Sequence, residues 1–173
     1  GSGRGGNLTV VAADSILIAG QDQAGFPSGL FSSAQIGQGN AGNLFIATPL
    51  LTLDAGGQIA AAVASSSQGN GGNIDVQVGR LTLTGDAQID SSTRSSGRGG
   101  TVTVAATDHI ELRTGGTISA SSAGQGDAGN IMIQAGKLFQ SRNGAVTTEA
   151  ETADGGNITL IAGSRVELRD SQI

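Results

Sequence analysis

Apolar and polar residues alternate in short runs along the whole chain, and the runs come in threes. The first run of each group reads Leu8, Val10, Ala12; Leu44, Ile46, Thr48; Ile74, Val76, Val78; Val102, Val104, Ala106; Ile131, Ile133, Ala135; Ile158, Leu160, Ala162. The second reads Ile16, Ile18; Leu51, Leu53; Leu81, Leu83; Ile110, Leu112; Leu138, Gln140; Val166, Leu168. The third reads Leu30, Ser32; Ile59, Ala61; Ile89, Ser91; Ile118, Ala120; Val146, Thr148; and Ile173. A period of two puts alternate side chains on opposite faces, which is strand geometry. Gly, Asn and Ser clusters interrupt each run before a helical period can develop.

Each group opens on a glycine pair: Gly6-Asn7, Gly42-Asn43, Gly72-Asn73, Gly100-Thr101, Gly129-Asn130 and Gly156-Asn157. The spacing is 27 to 30 residues except for the first, which is 36. That extra length falls within residues 19–29, around Phe26-Pro27. A three-strand unit of this size cannot bury its apolar face alone, but stacked units can. The pattern therefore predicts an all-β fold, a three-sided parallel β-helix of about six coils. It is expected to be right-handed, as parallel crossovers overwhelmingly are. The coils span approximately 3–38, 39–68, 69–96, 97–125, 126–153 and 154–173 of one domain. Equivalent apolar residues, such as Leu8, Leu44, Ile74, Val102, Ile131 and Ile158, should form ladders down a narrow interior. The glycines are expected to supply positive φ at the corners. Asn7, Asn43, Asn73, Asn130 and Asn157 should form a hydrogen-bonded turn ladder, with a weaker rung at Thr101. Gln140 stands where Leu is expected: either it caps a local hydrogen-bond gap, or the strand slips and Phe139 turns inward.

Composition narrows the function classes. Cys, Trp and Tyr are absent and one His is present. Disulfides, thiolate sites and His-rich metal sites have no residues to build them. Base or sugar stacking has almost no aromatic material. The net charge of −5 argues against nucleic acid as the main partner. No apolar run is long enough to span a membrane.

With the repeats aligned, the chain resembles the repeat region of cyanobacterial filamentous-haemagglutinin-like exoproteins. The residues that carry the resemblance are GNAGNLFI, GNGGNIDV and GDAGNIMI, with LTLTGDAQID- and IELRTGGTISASS-like stretches after them. The resemblance covers essentially the whole sequence. It implies a shaft segment exported by two-partner secretion and placed outside a Gram-negative bacterium, extracellular or on its outer surface. Because the sequence stops partway through a coil at Ser171-Gln172-Ile173 and its end strands have open edges, partners are expected end to end, as further coils of one polypeptide or as other copies. The family's amino-terminal secretion domain is not within these residues.

Catalytic and cofactor motifs are weak. G-x-G-x-x-G strings occur at Gly1–Gly6, Gly37–Gly42 and Gly124–Gly129, but a strand follows each, where a dinucleotide site needs a helix. Calcium-binding nonapeptide repeats need a nine-residue period that is not here. Asp75 points outward with Phe45 and Thr103 expected beside it, so no carboxylate pair for glycan cleavage forms there. The reading is non-enzymatic, with no cofactor and no metal.

Two surface features remain. The residue before each second run forms an outward column that is basic in its last four members: Arg80, His109, Lys137 and Arg165. Such a ladder is a candidate contact for acidic polysaccharide or for a host or cell surface. Phe45, Met132 and Ile161 are outward apolar residues and candidates for lateral contact, and Phe26 in the insertion is a candidate cover for Phe45. The sequons at Asn7 and Asn157 have a sufficient reason as turn residues.

Overall fold

The computed structural model describes residues 3–34, 38–65 and 68–173. Among these residues there is no helix. The strands are β1 Leu8–Val11, β2 Ser15–Ala19, β3 Gly29–Phe31, β4 Leu44–Asp54, β5 Gln58–Ala60, β6 Ile74–Leu83 and β7 Gln88–Asp90. They continue with β8 Val102–Arg113, β9 Thr117–Ser119, β10 Ile131–Ala135, β11 Leu138–Arg142, β12 Ala145–Thr147, β13 Ile158–Ala162 and β14 Arg165–Arg169. All pair in parallel with the equivalent strand one coil away, which makes the protein a β-solenoid.

The first side runs β1-β4-β6-β8-β10-β13, and the third runs β3-β5-β7-β9-β12. The second side is built by β2, the latter halves of β4, β6 and β8, then β11 and β14. There are thus five complete turns and a sixth with two sides, slightly fewer than the six expected. In the sixth, Gln172 makes only a single bridge to Ala145. In the three coils of β4, β6 and β8, first and second runs join as one bent strand, where two separate strands were expected.

The interior ladders follow the apolar pattern. Leu8, Leu44, Ile74, Val102, Ile131 and Ile158 stand in register. Leu30, Ile59, Ile89, Ile118 and Val146 do the same on the third side. Ile133 lies between Val104 and Leu160 and is fully buried.

The second side departs from the expected register in its fifth coil. Phe139, not Leu138, faces inward, in line with Ile110 and Val166. Ser141 then occupies the place held by Leu112 and Leu168. The cause is the length of the bend. Val78 and Arg80 pair with Ala106 and His109, so Thr107 and Asp108 together stand against Gly79 as a bulge. Gly136 and Lys137 keep this longer bend in the next coil. A strand entered one residue later presents the opposite parity of its sequence.

The corner glycines meet the expectation of positive φ at one corner and not at the other. Gly42, Gly72, Gly100, Gly129 and Gly156 are not in the left-handed region. A Cβ on Gly72 would instead collide with the carbonyl of Gly42, and one on Gly100 with that of Gly72. Coil-to-coil contact here is backbone on backbone, which only glycine permits. Positive φ occurs in the turn that follows the second side, at Ala55 and Gly56 (47° and 82°), Gly85 and Asp86 (59° and 62°), and Thr114 and Gly115 (45° and 81°).

The insertion folds as a tight loop. Gln21 and Pro27 bridge in antiparallel sense. Asp22 Oδ1 accepts hydrogen bonds from the backbone N–H of Ala24 and of Phe26, both at 2.9 Å. Phe26 stays exposed at the tip and does not cover Phe45.

Candidate functional site: a charged sheet face

The outward columns of the second side follow from the same register. The first contains Ser15, Leu50, Arg80, His109, Leu138 and Arg165. Lys137, expected in this column, lies in the bend one residue before it, and Leu138 takes its place. The four basic candidates are therefore not one ladder.

They are also engaged in ion pairs. Asp108 projects from the bulge, and Arg80 Nη2 donates to its Oδ2 at 2.7 Å. Lys137 Nζ lies 2.9 Å from Oδ1 and His109 Nδ1 lies 2.8 Å from Oδ2. Neither of these last two contacts has the alignment of the Arg80 hydrogen bond. Lys137 first, then Arg80 and His109, hold the Asp108 carboxyl far below the ordinary carboxylate range. Arg165 Nε sits 3.1 Å from Glu167 Oε1. The residues read as a free basic ladder thus form one cluster around Asp108 and one pair with Glu167.

A second basic column was missed in the sequence. Arg113, Arg142 and Arg169 stand in direct register at the end of the second side, all exposed. Beside them, Glu111, Gln140 and Glu167 form the middle column. Arg113 Nη2 meets Glu111 Oε1 at 2.6 Å, and Arg142 Nη2 lies 4.0 Å from Glu167 Oε2. Gln140 Nε2 donates to Glu167, and this bond is the main reason the Glu167 pKa is lowered. The signal in the sequence was the string Glu-Leu-Arg at 111–113 and 167–169 against Gln-Ser-Arg at 140–142. It becomes visible only once the fifth coil is shifted by one residue.

The turn ladder forms, with a different bonding scheme from stacked amides. Each Asn Oδ1 accepts the backbone N–H of the equivalent residue one coil on. Asn7 bonds Asn43 and Asn43 bonds Asn73, both at 2.9 Å, and Asn130 bonds Asn157 at 2.8 Å. Thr101 is still held, through its N–H to Asn73 Oδ1 at 3.0 Å. The gap falls one step later: no hydrogen bond joins the Asn130 N–H to the Thr101 side chain. A parallel ladder three residues upstream was not anticipated. Asn40 Oδ1 accepts from Asn70 N–H at 2.9 Å, and Asn70 Oδ1 from Arg98 N–H at 2.8 Å. Between the two ladders runs a polar groove of about 730 Å³. Gly1 and Gly37, which open two of the glycine strings, lie outside the described residues.

Phe45, Met132 and Ile161 are not brought together. Phe45 and Met132 share an outward column but are separated by Asp75 and Thr103. Ile161 belongs to the neighbouring column, beside Gln134. It lines an apolar groove of about 900 Å³ along the bend, floored by Gly79 and Gly136. Asp75 has Phe45 and Thr103 as its ladder neighbours, as the sequence indicated. Among the described residues no group of three or more His, Asp or Glu is placed to hold a metal ion. Comparisons with family descriptions, with curated proteins and with solved structures found no match.

Proposed function

We propose that this chain is a structural shaft segment of a secreted or cell-surface fibrous exoprotein. In this reading it gives rigid length, as in the filamentous-haemagglutinin-like proteins it resembles. Two-partner secretion and an extracellular place on a Gram-negative bacterium, a cyanobacterium on the resemblance, belong to the same proposal. The observation that supports it most is the unbroken axial ladder. Every coil repeats the same first side, and neighbouring coils are hydrogen bonded along their strands. A load along the axis is then shared by many parallel bonds, and each coil adds about 4.8 Å. The apolar last coil supports end-to-end stacking. In the last coil Val166 and Leu168 occupy interior columns yet are 46% and 48% exposed, and another coil would cover them. Open strand edges recruit further strands in the same way.

Light scattering across a concentration series, with electron microscopy, tests this reading. The parent chain should form elongated particles that grow with concentration. Val166→Asp with Leu168→Asp should leave single short particles. A parent that stays monomeric at millimolar concentration would contradict end-to-end stacking.

A further inference from the structure

We propose that the Arg113–Arg142–Arg169 column, with Arg165 beside it, is a binding face for a linear polyanionic polysaccharide laid along the solenoid axis. This goes beyond the shaft reading and does not depend on it. Basic residues are concentrated on one side of this molecule. Six of its nine Lys and Arg residues lie on the second side or its leading bend: Arg80, Arg113, Lys137, Arg142, Arg165 and Arg169. Five of its fourteen carboxylates lie there, Asp14, Asp54, Asp108, Glu111 and Glu167. The excess is local to the arginine column, where Arg113, Arg142, Arg165 and Arg169 stand with two carboxylates, Glu111 and Glu167, on a chain whose net charge is −5.

The cations on that face are of two kinds. Arg80 and Lys137 are turned onto Asp108. The arginine column is only partly neutralised. Arg113 has Glu111, Arg142 reaches Glu167 at the 4.0 Å limit while Arg165 holds the same carboxylate, and Arg169 has no carboxylate within ion-pair distance among the described residues. Like charges directly opposite one another on a sheet are destabilising, and these three are spaced by only about 4.8 Å. Glu111 and Glu167 offset only part of this repulsion, and an anionic chain along the column would relieve the rest. Guanidinium groups suit this task because their planar fork matches carboxylate and sulfate oxygens. Nucleic acid is the poorer fit: the chain has no Tyr or Trp for stacking, and none of its four Phe stands in these columns.

The test is binding of polygalacturonate and dextran sulfate to the purified chain, with neutral dextran and duplex DNA for comparison, at low and high salt. Both acidic polysaccharides should bind and weaken as salt rises, and neutral dextran should not bind. Arg113→Gln/Arg142→Gln/Arg169→Gln should weaken binding at least about tenfold, from the loss of charge-assisted contacts. Arg4→Gln/Arg94→Gln/Arg98→Gln makes the same change in net charge elsewhere and should weaken it less than about twofold. Circular dichroism checks that each variant folds. If the column triple does not, the single exposed Arg142→Gln carries the test, with a loss of about threefold. Equal losses in both triples, no binding by the parent, or binding to duplex DNA as tight as to the polysaccharides would each overturn the proposal.

Discussion

Phe139 stands opposite Ile110 in the interior ladder, and two residues on, Ser141 stands opposite Leu112. Both side chains are buried, at 0% and 1% exposure. The fifth coil thus fills its share of the core with one large and one small side chain, where β4 and β6 use two leucines. The Ser141 hydroxyl has no hydrogen-bond partner among the described residues. Ser141→Ala should therefore raise stability by about 1 kcal/mol, by removing a buried unsatisfied group. Phe139→Ala should lower it by about 3–5 kcal/mol through the cavity it leaves. Chemical denaturation measures both. A destabilising Ser141→Ala would mean that the hydroxyl has a partner.

The glycine corner and the asparagine ladder should differ sharply in sensitivity. At Gly100 an added Cβ meets the Gly72 carbonyl and cannot be relieved by side-chain rotation. Gly100→Ala should cost about 2 kcal/mol or more from overpacking. Asn73→Ala removes only the acceptor for the Thr101 N–H and should cost about 1 kcal/mol. Melting curves that rank the two in the opposite order would reject the close-packed corner.

Asp108 gives the fold a defined acid response. Its folded-state pKa lies below the ordinary value of 3.8, held down by Lys137, Arg80 and His109. A depressed carboxyl contributes its full stability above the unfolded-state value and loses it as pH falls through the folded-state one. The melting advantage of the parent over Asp108→Asn should be constant at neutral pH and shrink as pH drops below 3.8. An advantage that disappears between pH 5 and 6 would contradict the cluster around Asp108.

The interior register has its own test. Ile133 is flanked by Val104 and Leu160, so Ile133→Asp buries a carboxylate among apolar groups. The expected loss is about 3–5 kcal/mol. A variant that melts within a few degrees of the parent would place Ile133 on the outside.

The alternation of Leu, Ile and Val made the solenoid and most of its ladders legible, because a period of two assigns each residue to a face without reference to the rest of the fold. The bend between first and second sides was not legible. Its length changes from one residue at Gly79 to two at Thr107-Asp108, and nothing in the local apolar pattern marks that change. This single bulge moved Lys137 out of the expected basic column, turned Phe139 inward and aligned Arg142 with Arg113 and Arg169. The role of the corner glycines was hidden for a related reason. Positive φ and close backbone approach both select glycine, and only the stacking of coils distinguishes them. The clustering around Asp108 depends on side chains from neighbouring coils, so spacing along the chain could not reveal it.

Axial distance is the most direct test of a rigid stacked shaft. Thr9, Phe45, Asp75, Thr103, Met132 and Thr159 form one outward column, and the chain has no native Cys to compete for labels. Spin labels at Thr9→Cys with Thr103→Cys, and at Thr9→Cys with Thr159→Cys, span three and five coil steps. Double electron–electron resonance should give narrow distributions near about 14 and 24 Å, at about 4.8 Å per step. Broad distributions, or distances that do not scale with the number of coils between the labels, would contradict the stacked shaft.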